Sequence, residues 1–132
     1  MLLFSLSKNS QAAARVFKTA GFAKAAKKAL IADDELCQAI RQVVKGQADD
    51  LGGGVYKKRL NDNMHRSIIV AKAERNWIYE YLFAKKDREN IDLAELVAFR
   101  KLAKVYAGLT EKQLALLLKD IDLIEICHDD KT

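Results

Sequence analysis

Three short segments rich in β-branched and aromatic residues, Val55–Leu60, Arg66–Lys72 and Asn76–Ala84, follow one another with almost nothing between them. The connections Asn61–His65 and Ala73–Arg75 are too short for a helical crossover and long enough for hairpins. The three segments are therefore expected to form an antiparallel meander. Asp49-Asp-Leu-Gly-Gly-Gly54, just upstream, is expected to break regular structure. A sheet of this kind must bury at least one face under other elements, which the rest of the chain has to supply.

The period of the apolar residues changes on both sides of the meander. Arg15-Val-Phe-Lys-Thr19 reads as a short first strand. Phe22–Leu30 reads as a helix with Phe22, Ala25, Ala26, Ala29 and Leu30 on one side and Lys24, Lys27 and Lys28 facing outward. Asp33 or Asp34 is placed to cap a second helix with Leu36, Ile40, Val43 and Val44 on its apolar face, ending at Lys45-Gly46, so that the two helices make a hairpin. Beyond the meander, Asp92 with Glu95 and Thr110 with Gln113 have the spacing of capping boxes, predicting helices over 92–106 and from 111 onward. Ile121–Ile126 reads as a last strand. The expected class is α+β: an N-terminal helical hairpin packed on an antiparallel sheet, with C-terminal helices. Residues 1–14 are expected to be a leader of uncertain order, and 15–132 a single domain.

With 50% apolar and 31% charged residues, the chain can fill a core and still solvate its surface, which argues against disorder. No apolar run reaches the roughly 18 residues that a membrane span needs, and the N-terminus lacks the basic flank of a signal peptide. Cys37 and Cys127 are far apart in sequence and, with His65 and His128, form no zinc-ligand pattern. The expectation is two reduced thiols in a cytoplasmic protein without metal or cofactor.

Charge is distributed unevenly. Residues 1–60 carry 11 Lys/Arg against 5 Asp/Glu, residues 61–132 carry 12 against 13, and no acid precedes Asp33. A basic half of this kind suits a polyanion, since each neutralised phosphate releases condensed counterions. Within it, alternation along Val55-Tyr-Lys-Lys-Arg-Leu60 sends Lys57 and Arg59 to one face of a strand and Lys58 to the other. Arg66 opens the next strand, and the third runs into Lys85, Lys86 and Arg88. If the strands are neighbours, Lys57, Arg59, Arg66 and one of Lys85, Lys86 or Arg88 converge on one sheet surface, as a phosphate requires; the plainer alternative is the charged edge of a sheet.

Arg15-Val-Phe-Lys-Thr19, the helical pair from Phe22-Ala-Lys, Asp50-Leu-Gly-Gly-Gly-Val-Tyr-Lys-Lys-Arg-Leu60, Tyr81-Leu-Phe-Ala-Lys-Lys-Asp-Arg-Glu-Asn-Ile91 and Leu123-Ile-Glu-Ile126 together resemble the RelE/ParE superfamily of bacterial type II toxins. Within it they are most similar to the HigB-like branch of addiction-module killer proteins. The resemblance spans roughly residues 15–126. It implies a microbial-ribonuclease-like fold, a helix-turn-helix antitoxin as partner, and metal-independent cleavage of messenger RNA in the ribosomal A site, in which a ribose 2′-hydroxyl attacks the adjacent phosphate.

By the same resemblance Lys57 is the candidate base or charge stabiliser and Arg59 and Arg66 are phosphate clamps. Lys58, Lys85, Lys86, Arg88, Lys24, Lys27 and Lys28 are RNA contacts. The longer glycine-rich connection usual before the arginine of this branch is replaced by Asn61-Asp-Asn-Met-His-Arg66. His65 stands where the family often has an aromatic residue, placed to stack on a base or supply a proton. The alternative to an endoribonuclease is a non-catalytic relative: a gyrase poison, or a nucleic-acid- or protein-binding module.

Overall fold

The computed structural model describes residues 15–72, with Lys72 by its backbone alone, and 75–128; the expected leader and most of the Ala73–Arg75 connection lie outside these. The elements run β1 (Arg15–Thr19), α1 (Ala20–Lys28), α2 (Asp33–Val44), β2 (Asp49–Gly52), β3 (Val55–Leu60), β4 (His65–Lys72), β5 (Asn76–Ala84), α3 (Leu93–Ala107), α4 (Glu111–Lys119) and β6 (Leu123–Ile126). One six-stranded sheet has the order β2-β3-β4-β5-β1-β6. The expected meander is its β3-β4-β5 portion. β1 lies parallel to β5, so the sheet is mixed, and β6 closes the far edge antiparallel to β1.

The helices start and stop where local chemistry directs. Thr19 Oγ1 accepts a hydrogen bond from Phe22 N at 3.0 Å, and Lys27 and Lys28 occupy the last turn, where the helix dipole favours cations. Both C-terminal capping boxes form, Asp92 with Glu95 and Thr110 with Gln113. α2 departs from expectation at its start: its N-cap is Ala32, and Asp33, Asp34 and Glu35 act through the dipole of the first turn. At its end Val44 is 55% exposed. Eight residues exceed two helical turns by about 80°, which swings Val44 away from the face that Leu36 buries.

Helices cover the sheet on both sides. α1 and α2 lie chiefly against β5, β1 and β3 rather than pairing with each other, which corrects the expected hairpin. Under them Val16, Phe22, Leu36, Ile40, Ile69 and Tyr79 form the larger core, and the buried Tyr79 hydroxyl donates to Leu36 O at 2.7 Å. On the other face α3 and α4 cover Phe17, Val70, Ile78 and Leu123 with Ala103, Tyr106 and Leu114. A smaller cluster, Val55, Ile68 and Phe83, continues that face beneath Leu96 and Phe99 of α3.

Two further expectations are corrected. Asp49–Gly52 is a strand, pairing antiparallel with β3, because the glycines do not disrupt the hairpin but make it. Gly52, Gly53 and Gly54 have φ of +84°, +64° and +85°, and a Cβ on Gly53 would lie 2.7 Å from Arg100 Cγ. Arg100 reaches over from α3 and its NH2 donates to Leu51 O at 2.5 Å, clamping the turn. Cys37 and Cys127 are joined in a disulfide instead of being free thiols. Their distance in sequence carried no information about their distance in space: β1 places β6, and with it Cys127, beside the layer that contains α2.

Candidate nucleic-acid interface

The register assembles part of the expected cationic surface. Arg59 stands opposite Arg66, which stands opposite Phe83; one row along, Lys57 stands opposite Ile68 and Ile68 opposite Tyr81. Residues directly opposite across a ladder share a face, so Lys57, Arg59 and Arg66 lie with Tyr81 and Phe83 on the α3 side of the sheet. Arg88 joins this group from the turn after β5, its guanidinium 5.5 Å from the Phe83 ring centroid. It donates to Glu95 Oε2 at 3.0 Å and Oε1 at 2.5 Å, and to the Tyr81 hydroxyl at 3.4 Å.

These cations differ in how free they are. Arg59 is exposed and has no side-chain partner among the described residues. Lys57 Nζ lies 3.8 Å from Asp49 Oδ2, a loose pairing across β2 and β3. Arg66 is 7% exposed and its NH1 donates to Asn63 O and Asn63 Oδ1, both at 2.9 Å. That arrangement follows from the turn. Asn61, Asp62 and Asn63 all take positive φ (55°, 52° and 72°), a conformation Asn and Asp tolerate better than most residues, and this turns Asn63 back over Arg66. The hydrogen bond to Glu95 raises the pKa of Arg88 and holds that of Glu95 below the usual carboxylate range. Arg88 is thus a fixed, compensated charge.

His65 is not part of that face. The alternation that turns Arg66 toward α3 turns His65, one residue earlier, to the α1 side. Its Nδ1 lies 3.2 Å from Asn61 Nδ2. It lines a cavity of about 640 Å³ with Lys28, Tyr81, Lys86 and Arg88, which reaches round the outer edge of β5. Lys85 and Lys86 line an adjoining cavity of about 460 Å³ beside Met64. Lys57, Lys58 and Arg59 border a third, of about 200 Å³, at the open edge of β3. Lys58 points away from Lys57 and donates to Gln47 O at 3.0 Å; burial first, and Arg59 second, lower its pKa. Lys24 and Lys27 sit exposed on α1 and border none of these cavities. Lys57, Arg59, Arg66 and Arg88 thus share one side of the sheet, whereas His65 is turned away from them and lines a separate cavity with Lys28 and Lys86.

Asn63, Tyr81, Glu95 and Arg100 also shape the site, although sequence pattern alone assigns them no role there. Glu95 carried a signal, since its capping-box position was evident, but its second role was not: the Oε1 that accepts from Asp92 N at 2.8 Å also accepts from Arg88. Among the described residues no cluster of His, Cys, Asp or Glu is arranged to hold a metal, and no helix is long and apolar enough to cross a membrane. Residues 14–126 match a family model described as the RelE toxin of the RelE/RelB toxin–antitoxin system. No curated protein and no solved structure matches the chain.

Proposed function

Since the chain belongs to the RelE toxin family, we propose that it is a toxin that arrests translation by cutting messenger RNA on the ribosome, and that a cognate antitoxin holds it in check. The observation that carries the reading is Arg59, exposed and unpaired among the described residues, opposite Arg66 with Lys57 two residues along the same strand face. A phosphate beside Arg59 would meet a guanidinium whose donors are not already committed.

In this reading the ribose 2′-oxygen, losing its proton, attacks phosphorus, the bond to the 5′-oxygen breaks, and that oxygen takes a proton from water, so that a 2′,3′-cyclic phosphate and a 5′-hydroxyl result. Lys57 is the candidate to take the 2′-proton or to balance charge on the phosphoryl oxygens. Its pairing with Asp49 is long enough to give way. Arg59 gains interaction as that charge grows, which is the condition for an effect on rate and not only on binding. Arg66 acts mainly by fixing the turn unless Asn63 releases it. Purified protein incubated with programmed ribosomes tests the proposal, with the new message ends mapped; Arg59→Ala should lower the cleavage rate by about 10²–10³. Intact message under those conditions rejects it.

The captured state of Arg66 favours a second reading, a relative that poisons gyrase or binds without cutting. Growth arrest that stops DNA replication while translation continues would establish it.

A further inference from the structure

β5 is longer than the strand beside it. β1 pairs with Asn76–Tyr79 only, and among the described residues no strand takes up the outer edge beyond that point. The inner edge shows which groups this leaves over. Lys85 N donates to Met64 O at 2.8 Å, and in an antiparallel ladder the groups facing the partner alternate along the strand. Phe83 and Tyr81 therefore also bond toward β4. The N–H and C=O of Leu82 and the N–H of Ala84 turn outward.

The cavity of about 640 Å³ runs along this edge. Four consecutive strand residues, Tyr81–Ala84, line it, as happens when the edge of a strand forms the wall and not one of its faces. Across from them Ala25 of α1 and Ala29, the residue that caps its end, present small side chains that leave the space open. Lys28 and Lys86 border it without an ion pair among the described residues; Asp87 lines it as well, so that Lys28, Lys86 and Arg88 outnumber the acid there. Just past Ala29 the helix ends, with Leu30 at φ 61°, its N–H donating to Lys27 O at 3.1 Å and that of Ile31 to Ala26 O at 2.9 Å. Met64, 56% exposed, borders the adjoining cavity. Lysines alone would be the usual guard of an exposed edge. A guarded edge does not require an open groove.

We propose that the outer edge of β5 docks an extended acidic segment of a partner protein, added as a further strand beside Leu82. Its main chain pairs with Leu82 and Ala84, its carboxylates meet Lys28 and Lys86, and its apolar side chains rest against Ala25 and Ala29 and, in the adjoining cavity, Met64. A peptide satisfies the free main-chain groups and the charge together, whereas a nucleic acid satisfies the charge. The antitoxin is the natural source of such a segment, an identification that rests on the toxin reading.

The test uses the full, isotope-labelled chain titrated with a blocked peptide of four Val-Glu repeats. The controls are the same peptide N-methylated at every second residue, and a ten-nucleotide oligouridylate. Slower amide exchange at Leu82 and Ala84, a loss of affinity of about tenfold on N-methylation, and a similar loss with Lys28→Glu plus Lys86→Glu at low salt support the proposal. Leu82→Pro, which removes an outward donor and leaves the β4 ladder intact, should abolish binding. Should that variant not fold, the charge-reversed pair decides. Equal binding of the N-methylated peptide overturns strand addition, and protection of these amides by the oligouridylate alone makes the groove a nucleic-acid site. Message cleavage is measured separately, so failure of the toxin reading leaves the peptide result unaffected.

Discussion

Reduction of the Cys37–Cys127 bond should destabilise the protein mainly by freeing its unfolded chain. The cysteines are 90 residues apart, and closing a loop of that length removes about 4.6 kcal/mol of conformational entropy from the unfolded ensemble at 25 °C in the loop-closure account. Losses observed for native disulfides of small domains run at about 2–5 kcal/mol. With a urea dependence of about 1–3 kcal/mol per M for a protein this small, the unfolding midpoint should fall by about 1–3 M. The assay is equilibrium urea unfolding with and without reductant, alongside Cys127→Ser, which avoids opening a hole at the buried Cys37. Thiol titration of the native, unreduced chain should detect no reactive thiol. Two titratable thiols, or a midpoint indifferent to reductant, would refute the reasoning.

Glu80 and Tyr106 give a pH prediction. Burial raises the Glu80 carboxyl pKa against the opposing effect of the Tyr106 hydroxyl, which donates to Oε1 at 2.9 Å. A raised folded-state pKa means that the ionised carboxylate carries its burial penalty in full at neutral pH and sheds it as pH falls through that value. Glu80→Gln should raise Tm at pH 7, with the gain shrinking toward pH 4; a gain independent of pH would contradict this. Gly53→Ala meets both φ +64° and the Arg100 stem, and should cost about 1–3 kcal/mol in chemical unfolding. On induced expression, Arg59→Ala should relieve growth arrest while Lys24→Ala does not, as counted by surviving colonies, because Lys24 borders none of the cationic cavities.

The features legible in the sequence were those decided within a few residues. β3, β4 and β5 followed from period-two runs and short connections, and both capping boxes from spacings of three. Alternation placed Lys57 and Arg59 together correctly and Lys58 apart. The same rule, applied across the turn, separates His65 from Arg66, although the two are adjacent in the chain. What stayed hidden depended on distant partners. β2 is a strand because Arg100, 48 residues on, accommodates and clamps its glycines. β1 finds a parallel neighbour that its five residues do not announce. Asn63 capturing Arg66 depends on three successive left-handed residues, for which Asn-Asp-Asn supplies permission but no certainty.

The position of β1 between β5 and β6 has a consequence for timing during synthesis. β1 emerges from the ribosome before either neighbour. Arg15 and Glu125, which lock the β1 edge through two hydrogen bonds of 2.9 and 2.8 Å, are 110 residues apart. At the usual pace of elongation that interval lasts about 5–20 s. Throughout it β1 lacks its β6 partner and the Arg15 guanidinium lacks its carboxylate. A nascent chain can raise the β2–β5 meander early, but its sheet closes only when the last strand clears the exit tunnel. A prematurely released fragment that ends before Leu123 would keep every cation of the proposed site yet expose an open strand edge, the kind of surface that proteases and aggregation act on.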